Sequence, residues 1–261
     1  MHTLSRNASR LGSVALLLCL LAGWEWSVTA FAWPELVLPA PSTVAEVLGR
    51  GLLNGYFWPH ITQTAIEVLG GLALGGALGF AAGLLLGESA LGRQVLMPYL
   101  IASQVVPKLA LAPLLTVWLG FGTLPVVVLT ALVCFFPLLE TTMTGIAQTD
   151  ATHLKLFRML GAGRWQTLWR LKLPSGLSTI LSGFRVAAVM ALVGAVVGEF
   201  IGGSTGLGAL IIAAQGSMDT PLMFAVLLLI TVMGLALYLA ALYLPRYVFR
   251  PYLFTETGNR S

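Results

Sequence analysis

Four charged side chains stand inside runs of apolar sequence: Glu67, Lys108, Glu140 and Glu199. A charge at the centre of a lone membrane helix costs about 2.5–3.5 kcal/mol on insertion scales. Such residues therefore face partners or a cavity. Lys108 has two readings. In one, Lys108, Glu140 and Glu199 line a pathway, and the lysine meets an anionic or hydrogen-bonding solute. In the other, Lys108 pairs with Glu140 or Glu199 as internal glue. Little else in the chain could do chemistry. No Gly-x-x-x-x-Gly-Lys-Ser/Thr phosphate loop occurs, nor any Gly-Lys dipeptide. Gly206-Leu207-Gly208 is too short for a dinucleotide fingerprint. His2, His60 and His153 lie far apart and show no metal spacing. No Ser-His-acid or Cys-His constellation is visible by spacing. The expectation is a chain that is no enzyme, with no catalytic residue, no metal and no cofactor of its own. ATP-driven work would need a separate subunit.

The stretch from Asp150 to Pro174 has a different character. It carries Lys155, Arg158, Arg164, Arg170 and Lys172. It reads as two short helices around a Gly-Ala-Gly hinge. Asp150 or Thr149 can cap the first, in which Leu154, Phe157 and Leu160 share a face. Gly161 and Gly163 free the backbone to turn. Trp165, Leu168, Trp169 and Lys172 fall at helical spacing in the second, and Pro174 ends it. A basic, amphipathic hairpin of this kind suits docking on a soluble partner. The plainer alternative is a solvated basic connector.

These residues must be held by membrane helices. Of 261 residues, 57% are hydrophobic and 9% charged, where a soluble domain carries about a quarter charged. Mean hydropathy is +0.90. The apolar residues are blocked into long runs, so the fold class expected is an all-α polytopic membrane protein with about six transmembrane helices. Their expected positions are 11–32, 64–86, 95–119, 124–145, 177–201 and 222–244. The first also resembles a signal peptide, with Ala30-Phe31-Ala32 as a cleavage-like site; a retained span is the favoured reading. Gly71, Gly75, Gly79 and Gly83 recur every four residues and form a packing ridge. Pro98, Pro107 and Pro113 interrupt the third span. Cys19 and Cys134 read as small buried hydrophobes rather than a disulfide or metal site. The net charge of +4 is a topology signal, not one for nucleic acid. Arg6, Arg10, Arg93, the five basic residues of 150–174, Arg246, Arg250 and Arg260 fall on one side, and Arg50 alone on the other. Residues 1–10, 146–176 and 245–261 are therefore expected in the cytoplasm, and 33–62 on the far side.

The 150–174 stretch also resembles the "EAA" coupling loop of ABC importer permeases. Gly161, the run Gly161 to Gln166 and Leu173-Pro174 stand at the matching places, while the EAA triplet itself reads Lys155-Leu156-Phe157. The resemblance covers about Leu38 to Tyr243, with a permease core over 61–241, and is closest to the nitrate, sulfonate, taurine and pyrimidine-precursor branch. Pro107 to Pro113 and Val197-Gly198-Glu199-Phe200 are similar to permeases for thiamine precursors or riboflavin. The resemblance implies a type I importer fold in a bacterial inner membrane. It also implies a second permease copy, two ATPase subunits and a periplasmic solute-binding protein. Asp150, Lys155, Arg158, Gly161, Gly163, Arg164 and Pro174 would then form the ATPase-coupling element. Two rivals remain: an ATP-independent secondary transporter, and a membrane scaffold or sensor. Against the first, the chain is short and shows no clear inverted repeat.

Overall fold

A computed structural model describes residues 2–248. Arg250 and Arg260 lie outside the described residues, as do the side chains of Arg6, Arg10 and Arg246. The described chain is helical: α1 (His2–Ala30), α2 (Pro41–Leu53), α3 (Trp58–Glu88), α4 (Ala90–Val105), α5 (Ala112–Leu119), α6 (Thr123–Ala147), α7 (Ala151–Met159), α8 (Arg164–Thr167), α9 (Leu173–Gly202), α10 (Leu207–Gly216) and α11 (Thr220–Val248). Among the described residues four helices are long and apolar enough to cross a membrane: Trp58–Glu88, Thr123–Ala147, Arg164–Gly202 and Thr220–Tyr243. The bent pair α4 and α5 makes a fifth if counted as one span. The apolar part of α1, Ala15–Ala30, is shorter than a full span.

Helix α6 is the centre of the bundle. It is held between α3 and α9 by contacts that only small residues allow. A methyl group on Gly75 would strike the Ala131 backbone, and one on Gly83 would come within 2.7 Å of the Leu139 carbonyl. Gly71 and Gly79 are likewise buried on this seam. On the other flank Gly145 of α6 meets Gly176 of α9 backbone to backbone. Lipid tails are as apolar as leucine, so close van der Waals contact rather than hydrophobic collapse drives this packing. Val68, Cys134, Leu138, Ala187, Ala191 and Ala195 fill the core between the three helices. A second cluster joins α2, α10 and α11 through Val44, Phe57, Leu207, Leu210, Ala225 and Val226.

Cys134 is buried as expected but Cys19 is exposed on α1, and two further sequence expectations about the helices need correction, both at prolines. The third span, expected as a single segment over 95–119 with prolines inside it, is two helices bent by 74°. Pro107 excludes its predecessor from the helical region, and Val106 is extended at φ −65°, ψ 122°. A single 3₁₀ turn, Lys108–Leu111, leads into α5, which Pro113 opens from within its first turn. Pro174 was expected to end a helix but sits in the first turn of α9. Arg164–Gly202 runs on as one helix of 39 residues. A π turn at Leu168–Lys172, with the Leu173 amide bonded to the Leu168 carbonyl, widens the helix just before the proline. Pro174 has no N–H to give the Arg170 carbonyl and its ring crowds that oxygen, so the widened turn replaces a break.

Gly75→Ala should destabilise the protein by roughly 1–3 kcal/mol, the usual range for overpacking. Gly70→Ala, whose new methyl would lie 3.5 Å from Val127, should be tolerated. Thermal unfolding of the detergent-solubilised variants checks the contrast.

Candidate functional site

Three places gather the polar residues of the bundle. The first is a cavity of about 680 Å³ between the α4–α5 break, α6 and α9. Lys108, Gln104, Phe136, Glu140, Thr141 and Ser182 are among its walls. The break at Pro107 is what delivers Lys108 there, because an unbroken helix would carry the next residues along the α4 axis. The lysine ammonium stands 5.4 Å from the centroid of the Phe136 ring, a cation–π distance. Among the described residues it forms no salt bridge with Glu140 or Glu199. Glu140 is exposed on the same cavity. Lysine, carboxylate, amide, hydroxyl and ring together can hold a small polar molecule from several sides.

Glu199 is elsewhere. It is 1% exposed and lies at the end of the bundle where α3 and α6 begin and α9 ends. The Thr64 hydroxyl donates to its Oε1 at 2.6 Å, and the Gly208 amide donates to its Oε2 at 2.5 Å. Leu207 N–H donates to the Thr64 hydroxyl at 2.8 Å, and Gly206 N–H to His60 Nδ1 at 3.2 Å. The first amides of α10, which lack partners within their own helix, are thus capped by side chains of α3 and α9. Gly206 at φ +138° lets the loop wrap the carboxylate. Glu67, also fully buried, accepts from Gln63 at 2.7 Å, and Gln63 reaches on to the Thr123 hydroxyl at 2.6 Å. Glu199 and Lys108 therefore do not share a site. Thr64, Gln63, His60 and the Gly206–Gly208 amides were missed by sequence reasoning. The signal was present, since His60, Thr64 and Glu67 recur at spacings of four and three on one face of α3.

The third place is the hairpin at the opposite end. Asp150 caps α7, accepting from the Thr152 amide at 2.6 Å and the His153 amide at 3.3 Å. Those amides, Thr152 first, hold its carboxyl below the ordinary aspartate range. The capping charge is therefore present above that range and is lost only as pH falls through the lowered value. At the other end of α7, Gly161 at φ +73° completes a Schellman turn: its N–H bonds the Arg158 carbonyl, and Ala162 N–H bonds the Phe157 carbonyl, both at 3.0 Å. Gly163 then starts α8, its N–H donating to Gln166 Oε1 at 3.1 Å. Lys155, Arg158 and Arg164 are exposed. Met159, Leu160 and Trp165 are exposed beside them, at 79%, 73% and 72%. Apolar side chains this bare beside basic ones give the hairpin an amphipathic outer surface.

Removing the Glu199 carboxylate strands the Gly208 amide and the Thr64 hydroxyl in a buried place. Glu199→Ala should lower stability by roughly 1–3 kcal/mol. Gly208→Ala should do so too, because its methyl would lie 2.5 Å from the Val196 carbonyl oxygen and 2.9 Å from Glu199 Oε2. The exposed Glu46→Ala on α2 should move thermal unfolding little, which makes it the control.

Comparison with known proteins gives a consistent picture. The chain is 37% identical over 240 residues to the riboflavin transport system permease protein RibX of Chloroflexus aurantiacus, covering 92% of this chain and 90% of that one. It is 32% identical to the formylaminopyrimidine transport permease protein ThiX of Halalkalibacterium halodurans, covering 89% and 92%. Its fold matches a chain of the inward-facing MetNI methionine ABC transporter at a TM-score of 0.60 and 17% identity, covering 74% of this chain and 94% of that one. Residues 71–250 match the family model for the inner membrane component of binding-protein-dependent transport systems. The chain belongs to that family, as a multi-pass membrane protein related to ABC importer permeases.

Proposed function

We propose that this chain is the permease subunit of an ATP-driven importer in a bacterial inner membrane. It pairs with a second permease copy, sits on two ATPase subunits and receives solute from a periplasmic binding protein. In this reading α1 and the bent α4–α5 pair complete six spans, with both ends and the 150–174 hairpin in the cytoplasm. The observation that carries the proposal is mechanical. The hairpin bares apolar and basic side chains to a partner, and it is continuous with α9 through one helix, Arg164–Gly202. That same helix supplies Ser182, Val186 and Met190 to the cavity wall. A push at Arg164 therefore reaches the cavity without a flexible joint, as alternating access by rigid-body motion requires.

The solute is a small polar or anionic organic molecule. Relatives named for riboflavin and formylaminopyrimidine, together with the Phe136 ring beside Lys108, favour a polar heterocycle. A sulfonate or taurine is the second choice, supported by the more distant relatives named for those solutes. Lys108 supplies charge and Gln104, Thr141 and Ser182 supply hydrogen bonds.

Two variants test this in the reconstituted complex. Lys108→Met should leave assembly intact and lower uptake about tenfold or more, as expected for one charge-assisted hydrogen bond of roughly 1.5–3 kcal/mol. Collapse of the complex instead would assign the lysine to internal packing. Gly161→Pro cannot adopt φ +73° and should uncouple ATP hydrolysis from uptake at normal expression. Undiminished coupling would remove the hairpin from the mechanism.

A further inference from the structure

Lys172 is one of the five basic residues of the hairpin stretch, and its ammonium turns toward the α3–α4 junction. It meets Glu88 Oε1 at 2.6 Å, with the two side chains 17% and 31% exposed. The other described salt bridges join residues three or four apart on one helix. Lys172–Glu88, spanning 84 positions, is the one that ties distant elements among the described residues.

Its two ends are informative. Lys172 closes the π turn between the hairpin and α9. Glu88 is the last residue of α3. Immediately after it, Ser89 caps α4, its hydroxyl accepting from the Gly92 amide at 2.9 Å. The chain turns there, and α4 then leads to the Pro107 break and Lys108. No residue of α4 is fully buried; beyond the elbow, Met97 and Leu100 pack half-buried against Leu86, Leu139 and Met143. Around the elbow α3, α6 and α9 are locked together: a methyl on Gly87 would strike Ile146 at 2.7 Å, and one on Gly176 would strike the Gly145 carbonyl at 2.6 Å. The three helices are thus packed as one body at this end, and α4, with no fully buried residue, is the least enclosed element joined to it.

Resting on the importer reading above, we propose that the Lys172–Glu88 ion pair is a positioning pair that transmits hairpin movement to the α3–α4 elbow. The helix α9 carries the thrust to one wall of the cavity through its own backbone. The ion pair carries it to the opposite wall, through α4 to Lys108. Lys172 ends the π turn within the continuous helix Arg164–Gly202, so its ammonium is fixed to the same helix that carries the thrust.

The test uses the complete complex of permease, ATPase and binding protein in lipid nanodiscs, with the exposed Cys19 replaced by serine. Spin labels on Gln94→Cys in α4 report the distance between the two permease copies, with and without ATP and vanadate. The parent complex should hydrolyse ATP and change this distance. Glu88→Gln and Lys172→Gln should keep ATP hydrolysis while the distance change falls to less than half. The swapped pair, Glu88→Lys with Lys172→Glu, should restore it. Undiminished movement in either single variant, or a swap that fails to restore movement in a folded complex, overturns the proposal. A parent complex with no ATP hydrolysis overturns the importer reading instead, and the proposal with it.

Discussion

At Gly75 the backbone of α3 rests against the backbone of Ala131 in α6, with no side chain between them. This approach, repeated along the seam and mirrored by Gly145 and Gly176 on the other flank, is the constraint on which the bundle depends. In lipid there is little hydrophobic gain in burying leucine against leucine, so helices adhere where their surfaces fit. Small residues let the fit reach the main chain. The result is a stiff three-helix body of α3, α6 and α9, and the functional features are arranged at its two ends and along one side.

Stiffness explains why polar groups can be placed inside it. Glu199 and Glu67 are buried, yet the loop from Gly202 to Gly208 and the α3 side chains Gln63 and Thr64 supply donors to them. The carboxylate in effect serves as the N-terminal cap of α10, a helix too short to span a membrane. Along the open side, the break at Pro107 opens the cavity: α4 has no fully buried residue, while α5 packs Ala112 and Leu115 against Leu129 of α6. At the other end the π turn before Pro174 keeps the hairpin continuous with α9 where a break would have disconnected it. On the importer reading proposed above, the continuous helices transmit movement and α4 receives it.

Much of this was legible in the residues. Four-residue glycine spacing in 71–83 announced a close-packed seam, because only a helix brings those positions onto one face. Asp150, Gly161 and Gly163 announced their own turns, since capping and left-handed backbone are local properties. The prolines were harder. A proline fixes its own backbone and that of its predecessor, but whether a helix breaks, bends or widens depends on the neighbours that satisfy the freed carbonyl. Pro107 bent its span and Pro174 did not, and nothing local distinguishes them. Glu199 was misplaced for a related reason. Its membership in an apolar run fixed its cost of burial, whereas its partners come from α3 and from a glycine loop that folds back on it. Lys172 belonged by sequence to a basic surface and by tertiary contact to Glu88.

The central claim is that this polypeptide is a conduit without an engine, driven from the hairpin side. The most direct measurement is solute accumulation in proteoliposomes, comparing the chain alone under ion gradients with the chain assembled with its ATPase and binding protein, using radiolabelled riboflavin, a formylaminopyrimidine and taurine as probes. The account predicts uphill accumulation of one of these only with the full assembly and ATP on the hairpin side. Uphill accumulation by the chain alone, or none of the three carried by an assembly that hydrolyses ATP, would contradict it.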